Sequence, residues 1–235
     1  MRCILVNSCK RDQENGWNDV VRETWAKSSP LPVFFIVGDG CFASLPDEVK
    51  LNVPDHYLGL PVKTKASLAW AVRNGYTRVF CASITTYVDI KRLEVDGSYR
   101  WEYVGNGKSG FFQGGPGFNL GPRAMSILLD TPIWPASFPG DNFADQWIGR
   151  SLTNRVTWRQ DDRYSMGMGV KQCEPDPLRD NDVISVQLSN WRGEYYPDWM
   201  RQVHAGRFGL PHVATDPRER WYCPCKHCQA RMAVR

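Results

Sequence analysis

The chain has no stretch that is both long and apolar. Its longest apolar runs, Val33–Val37 and Leu68–Val72, have five residues each, against the roughly 20 that a membrane-spanning helix requires. The opening Met-Arg-Cys-Ile-Leu-Val-Asn-Ser-Cys has one positive charge and a three-residue apolar run, too little for the apolar centre of a secretory signal. The expectation is a soluble, cytoplasmic protein. Internal repeats and low-complexity tracts are also missing, which excludes solenoids and linker-like chains. With 42% hydrophobic and 23% charged residues, disordered, collagen-like and coiled-coil classes are excluded as well.

Net charge is nearly absent from the body. Residues 1–200 hold 22 Lys/Arg against 23 acids, whereas residues 201–235 hold seven against two. A +5 tail beside a neutral body points to an acidic partner, nucleic acid being the usual one, or to an ordinary solvated basic end. The eight cysteines would suggest disulfides in a secreted protein. In a reducing compartment they read as core thiols or metal ligands.

A length of 235 residues suits one sizeable α/β domain with a small appendage. Ile4-Leu5-Val6 reads as a strand, and Trp17, Val20, Val21 and Trp25 follow at helical spacing, with Pro30 and Pro32 closing the helix. Val33–Val37, ending in Gly38-Asp39-Gly40, reads as a buried strand. Pro61 suits the first turn of a helix that carries Val62, Ala66, Ala69 and Trp70 and stops at Asn74-Gly75. Arg78–Ala82 is the third strand of a parallel sheet, and a ligand is expected just beyond it, at the carboxyl ends of the strands. Tyr99–Val104 alternates aromatic and polar residues, as a half-solvated antiparallel strand does. Helices are expected after Pro122 and around Phe143, Trp147, Ile148 and Leu152. Further on come a polar loop over 160–182, a strand at Val183–Val186 and a helix over Tyr195–Val203. The expected division is a main domain over 1–203 and a basic, Cys/His-containing segment over 204–235.

Five blocks in order resemble the Fringe and β1,3-galactosyltransferase group, inverting enzymes of GT-A fold. They are Arg22-Glu23-Thr24-Trp25, the strand Val33–Gly38, Tyr57-Leu58-Gly59-Leu60-Pro61-Val62-Lys63-Thr64, Gly114-Gly115-Pro116-Gly117-Phe118-Asn119-Leu120-Gly121-Pro122-Arg123-Ala124, and Ala144-Asp145-Gln146-Trp147-Ile148-Gly149. The resemblance covers residues 17 to 190. It implies a GT-A-like, mostly parallel sheet flanked by helices and a nucleotide-sugar donor, UDP-linked as the working expectation. It makes Asp145 the catalytic base, with Asp141 one turn earlier as its rival. Arg22 and Lys63 become candidate donor contacts, with Arg123 a further cation that could face the diphosphate. Gly114, Gly115 and Phe118 become candidate acceptor contacts. Glycines suit close approach of backbone to a ligand, and an inverting transfer needs one carboxylate to take the acceptor proton.

The sequence departs from the group at its metal site. Where an Asp-x-Asp is expected after the third strand stand Ser83 and Thr85, and Gln187 replaces a late metal-contacting histidine. Hydroxyls and amides are poor ligands for Mg²⁺ or Mn²⁺. No catalytic divalent metal is therefore expected; Ser83, Thr85 and Gln187 become donor-binding candidates, with Asp89 left as a displaced lone ligand. A separate signal is Cys223-Pro-Cys225-Lys-His227-Cys228, whose three thiols and imidazole are the ligand types of a structural zinc site. The reading that follows is a glycosyltransferase acting on an acceptor such as a hydroxylated base in DNA or RNA. Its rival is an inactive GT-A-like module that binds a nucleotide-sugar or nucleic acid.

Overall fold

In the structure, a computed structural model, residues 1–108, 110–133, 144–165, 183–188 and 197–205 are described. The first half alternates strands and helices. β1 (Arg2–Asn7), α1 (Lys10–Glu14) and α2 (Trp17–Glu23) lead into β2 (Val33–Val37) and β3 (Glu48–Lys50). They are followed by α3 (Leu60–Arg73), β4 (Arg78–Ser83), β5 (Thr86–Val88) and α4 (Ile90–Val95). The second half holds β6 (Tyr103–Gly105), a small hairpin of β7 (Gly107–Lys108) and β8 (Phe111–Phe112), β9 (Phe118–Leu120), α5 (Pro122–Asp130) and α6 (Ala144–Leu152). The last elements are β10 (Trp158–Gln160), β11 (Tyr164–Ser165), β12 (Ser185–Gln187) and α7 (Pro197–His204).

Seven strands form the central sheet in the order β10-β6-β9-β4-β1-β2-β3. All its pairings are parallel except those of β9, which runs against both β4 and β6. This is the expected α/β architecture, a mostly parallel sheet flanked by helices. Both faces of β1 are buried, so its alternation divides two cores rather than core from water. Ile4 and Val6 join Phe35, Phe80, Trp25 and Met200 on one face. Cys3 and Leu5 join Ile36, Leu68, Leu120 and Trp147 on the other.

The expected helices are present with shifted bounds. α2 stops at Glu23, and Trp25 lies in a separate 3-10 turn over Trp25–Ser28, fully buried. Pro61 does open α3, and Gly75 ends it with φ +80, a left-handed turn that glycine adopts without penalty. The Tyr99–Val104 expectation needs correction. Ser98–Arg100 is a 3-10 turn, and Tyr103–Gly105 is a buried interior strand, not a half-solvated one. It does pair antiparallel, with β9.

A second sheet, β11-β12-β5, folds over the carboxyl edge, with β5 antiparallel to β12. Chain order reverses between β1 and β4, so their carboxyl ends bound the crevice where open α/β sheets take ligands. Among the described residues no helix is long and apolar enough to cross a membrane.

Candidate functional site

β1 and β4 deliver Asn7, Ser8 and Ser83 to this crevice, and the Ile84 amide donates to the Asn7 carbonyl at 3.1 Å. The turn from β4 into β5 is held by its own hydroxyls. The Ser83 amide donates to Thr86 Oγ1 at 3.0 Å, and the Ser83 and Thr85 hydroxyls lie 3.2 Å apart. Thr86 Oγ1 in turn donates to the Gly115 carbonyl at 2.6 Å, and Ser185 Oγ donates to the Pro116 carbonyl at 2.6 Å. The glycine block is thereby fixed from below by β5 and β12.

Gln187 pairs with Thr86 in register, and its carboxamide lies so close to Gly115 that a Cβ there would sit 1.9 Å from Gln187 Oε1. Only a glycine permits that approach. The structure thus brings Ser83, Thr85, Gln187, Gly114 and Gly115 together. Their sequence separation gives no hint of it.

Asp145 heads α6, where its Oδ1 accepts the Gln146 amide at 2.9 Å. Burial raises its pKa above the ordinary carboxylate value, against the opposing pull of main-chain amides of Gln146, of Asp145 itself and of Gly114. The Gly114 amide, which belongs to the glycine block, thus acts on the carboxylate. A raised pKa makes a carboxylate a stronger base, which is what proton abstraction from a hydroxyl requires. Asp141 lies outside the described residues, as do Cys223, Cys225, Cys228 and His227.

The two cations are placed differently from the expectation of a free donor contact. Arg22 donates to Asp47 through Nε and Nη2, to Glu48 at 2.9 Å and to Asp19 at 2.8 Å, with its guanidinium over the Phe35 ring. Lys63 is 2% exposed. Its ammonium donates to Asp55 at 2.5 Å and to the Ser8 carbonyl. Asp55 also accepts from the Lys10 and Gly38 amides and the Cys41 thiol. This buried node ties the ends of β1 and β2 to α3, and burial alone would raise the Asp55 pKa. The hydrogen bonds from Lys63, Cys41 and Lys10 outweigh it and hold the carboxyl below its ordinary value. Periodicity gave no signal for Asp55, which lies in a loop.

Two expected contacts meet physical obstacles. Phe118 is 5% exposed in β9, edge-on to Tyr103 with ring centroids 6.0 Å apart, so its ring serves the core and has no surface for an acceptor. Arg123 follows β9, and because that strand is antiparallel it emerges beside Arg78 and Glu102, at the opposite edge from Ser83. Ser83 and Thr85 are neutral and bonded to each other, and Asp89 caps α4 through the Arg92 amide and pairs with Arg92 at 3.3 Å. Among the described residues no three His, Cys, Asp or Glu converge as ligands would. The set does not fit Mg²⁺ or Mn²⁺.

No protein-family model matches the sequence, and no curated protein matches it either. Among solved structures, the chain is similar to a protein of Desulfovibrio desulfuricans G20 assigned as a nucleotide-diphospho-sugar transferase. The identity is 13% over 68% of this chain and 79% of that one, with a TM-score of 0.43. It is also similar to the galactosyltransferase LgtC in complex with donor and acceptor sugar analogs, at 11% identity over 94% of this chain and 100% of that one, with a TM-score of 0.47.

Proposed function

We propose that the protein is an inverting glycosyltransferase that moves a sugar from a nucleoside-diphosphate donor, UDP-linked as the first choice, to an acceptor hydroxyl. The observation that carries this reading is the half-buried Asp145 carboxylate at the head of α6, whose pKa the Gly114 amide helps to set, beside a glycine block that is itself bonded to the Ser83–Thr86 turn. A base and a polar crevice at the strand ends are thereby held on one frame.

In this reading the acceptor hydroxyl gives its proton to Asp145 as its oxygen attacks the sugar's anomeric carbon. The bond from that carbon to the diphosphate oxygen breaks on the opposite face, and the electron pair leaves with the nucleoside diphosphate. The hydroxyls of Ser83 and Thr85 and the Gln187 amide supply hydrogen bonds to the departing group. Lys63, bonded to the Ser8 carbonyl beyond β1, holds that wall of the crevice, whereas Arg22 is committed to Asp19, Asp47 and Glu48 beside β2 and β3. Incubation with a panel of radiolabelled UDP-sugars tests the reading. Neither transfer nor hydrolysis from any donor would overturn it.

A second reading, a GT-A-like module that binds a nucleotide-sugar or nucleic acid without transfer, is favoured by one observation. The cations Arg22 and Lys63, which could have offset the charge of a leaving diphosphate, are neutralised by Asp19, Asp47, Glu48 and Asp55. Saturable UDP binding with no turnover of any donor would select this reading. A hydroxylated nucleic-acid base as acceptor rests on the basic 204–235 segment, whose residues beyond 205 lie outside those described, as does its zinc motif. Removing 206–235 should then abolish salt-sensitive retention of single-stranded DNA.

A further inference from the structure

The amino edge of the sheet, opposite the donor crevice, carries a second cleft. β1 and β4 begin there, and their parallel register sets Arg2 directly beside Arg78, on strands about 4.8 Å apart. Both arginines line the cleft, together with the apolar side chains Leu31, Phe80 and Leu93 and with Ser98 of the Ser98–Arg100 turn. Its enclosed room is about 20 Å³, more than one water needs and enough for the clustered oxygens of a small anion. Like charges side by side across strands repel, so the pair calls for negative charge nearby. Arg78 has only part of it. Its Nη1 donates to the Trp101 carbonyl at 2.9 Å and its Nη2 lies 3.8 Å from Glu102 Oε1, while the other oxygen of Glu102 accepts the Arg123 and Ala124 amides at the start of α5. Among the described residues no hydrogen bond or ion pair engages the side chain of the half-buried Arg2.

We propose that this cleft binds one small oxyanion, a phosphate group, gripped between the Arg2 and Arg78 guanidiniums. The site is independent of the transferase reading, because it lies at the other end of the strands. A guanidinium offers five N–H donors in a planar fork that matches phosphate oxygens, and Arg78 keeps donors beyond the one given to Trp101. The apolar walls keep water from the charges and strengthen their attraction for an anion. Two guanidiniums against one carboxylate that also serves α5 leave an excess of positive charge, which favours the doubly charged phosphate over acetate or chloride. The ligand is free phosphate or the phosphate end of a small monoester, since the enclosed room takes the head group alone.

Calorimetric titration of the full chain with inorganic phosphate at constant ionic strength should show one saturable site, with no saturable binding of acetate or chloride. In Arg2→Gln the dissociation constant should rise about tenfold, on the order of one lost charge-assisted hydrogen bond. Arg2→Lys, which keeps the charge without the fork, should fall between the two. Saturating UDP should leave phosphate affinity unchanged. A second measurement needs no variant: phosphate should protect Arg2, but not the exposed Arg11, from modification by phenylglyoxal, read by mass spectrometry. Glycerol phosphate binding more tightly than inorganic phosphate would identify a monoester as the ligand, and weaker binding the free ion; either supports the site. No saturable phosphate binding, chloride or acetate binding as tightly as phosphate, or phosphate that neither weakens in Arg2→Gln nor protects Arg2 overturns the proposal. Displacement of phosphate by UDP would put the anion in the donor crevice, overturning this site while leaving the transferase reading intact.

Discussion

At Asp145 the same burial that strengthens the base makes the folded state less stable at neutral pH. Its pKa is raised by desolvation. A carboxyl with a folded pKa above its unfolded value contributes stability below the unfolded pKa, about 4, and loses it as pH rises through the folded pKa. Asp145→Asn should therefore abolish transfer, a fall of roughly 100-fold or more. It should also raise the melting temperature at pH 7, with the gain shrinking as pH approaches 4. Thermal unfolding at the two pH values decides this; a variant no more stable than the parent at pH 7 would show that the carboxylate is well solvated.

Asp55 behaves in the opposite sense, because its pKa is lowered by the Lys63, Cys41 and Lys10 hydrogen bonds despite its burial. Its contribution is present above the unfolded pKa and is lost as pH falls through the folded one. Removing one partner leaves an uncompensated buried charge, so Asp55→Asn should cost about 3 kcal/mol in urea unfolding at pH 7. The cost should diminish in acid. Equal destabilisation at both pH values would mean that packing, not the ion pair, is what Asp55 supplies.

Among the elements, the glycine block separates fold from function within four residues. Gly117 has φ +88, and a Cβ there would meet the Phe80 ring at 2.6 Å and the Cys81 carbonyl at 2.7 Å. Gly117→Ala should destabilise by about 1–3 kcal/mol, since rigid sheet atoms cannot yield. At Gly115 the obstacle is the end of the Gln187 side chain, which can swing away. Gly115→Ala should cost little stability but displace Gln187 and weaken UDP binding, measured by calorimetric titration. At Gly114 nothing lies within 4 Å of an added Cβ, so Gly114→Ala should fold normally. If Gly115→Ala binds UDP as the parent does, Gln187 is not a donor contact.

Elements with strong periodicity or punctuation, such as β2, α3 with Pro61 and Gly75, and α5 behind Pro122, were legible in the sequence. Short ones were not. α1 has five residues, β3 and β10 three each, too few for a period to show. Their formation depends on the partners that the sheet provides.

For the molecule as a whole, the donor set at Ser83, Thr85 and Gln187 does not fit a divalent metal. Any transfer activity should therefore survive EDTA. Loss on chelation that Mn²⁺ restores would place a carboxylate ligand beyond the described residues.

Hydrophobic runs and turn residues by themselves determined a mixed α/β chain with a parallel first half, because burial on both faces requires continuous apolar strands. They also marked Asp145 and the glycine block, through the resemblance. The direction of β9 was decided only by the tertiary structure, since a three-residue apolar strand reads alike in either direction. That direction sends Arg123 to the far edge and turns Phe118 into core. Charge pairing was likewise undecided by sequence. Arg22 meets Asp47 and Glu48 25 and 26 residues on, and Lys63 meets an Asp55 eight residues before it in a loop. An ion pair is a property of distance in space, and the residue types alone could not say whether these cations face a ligand or one another's counter-charges.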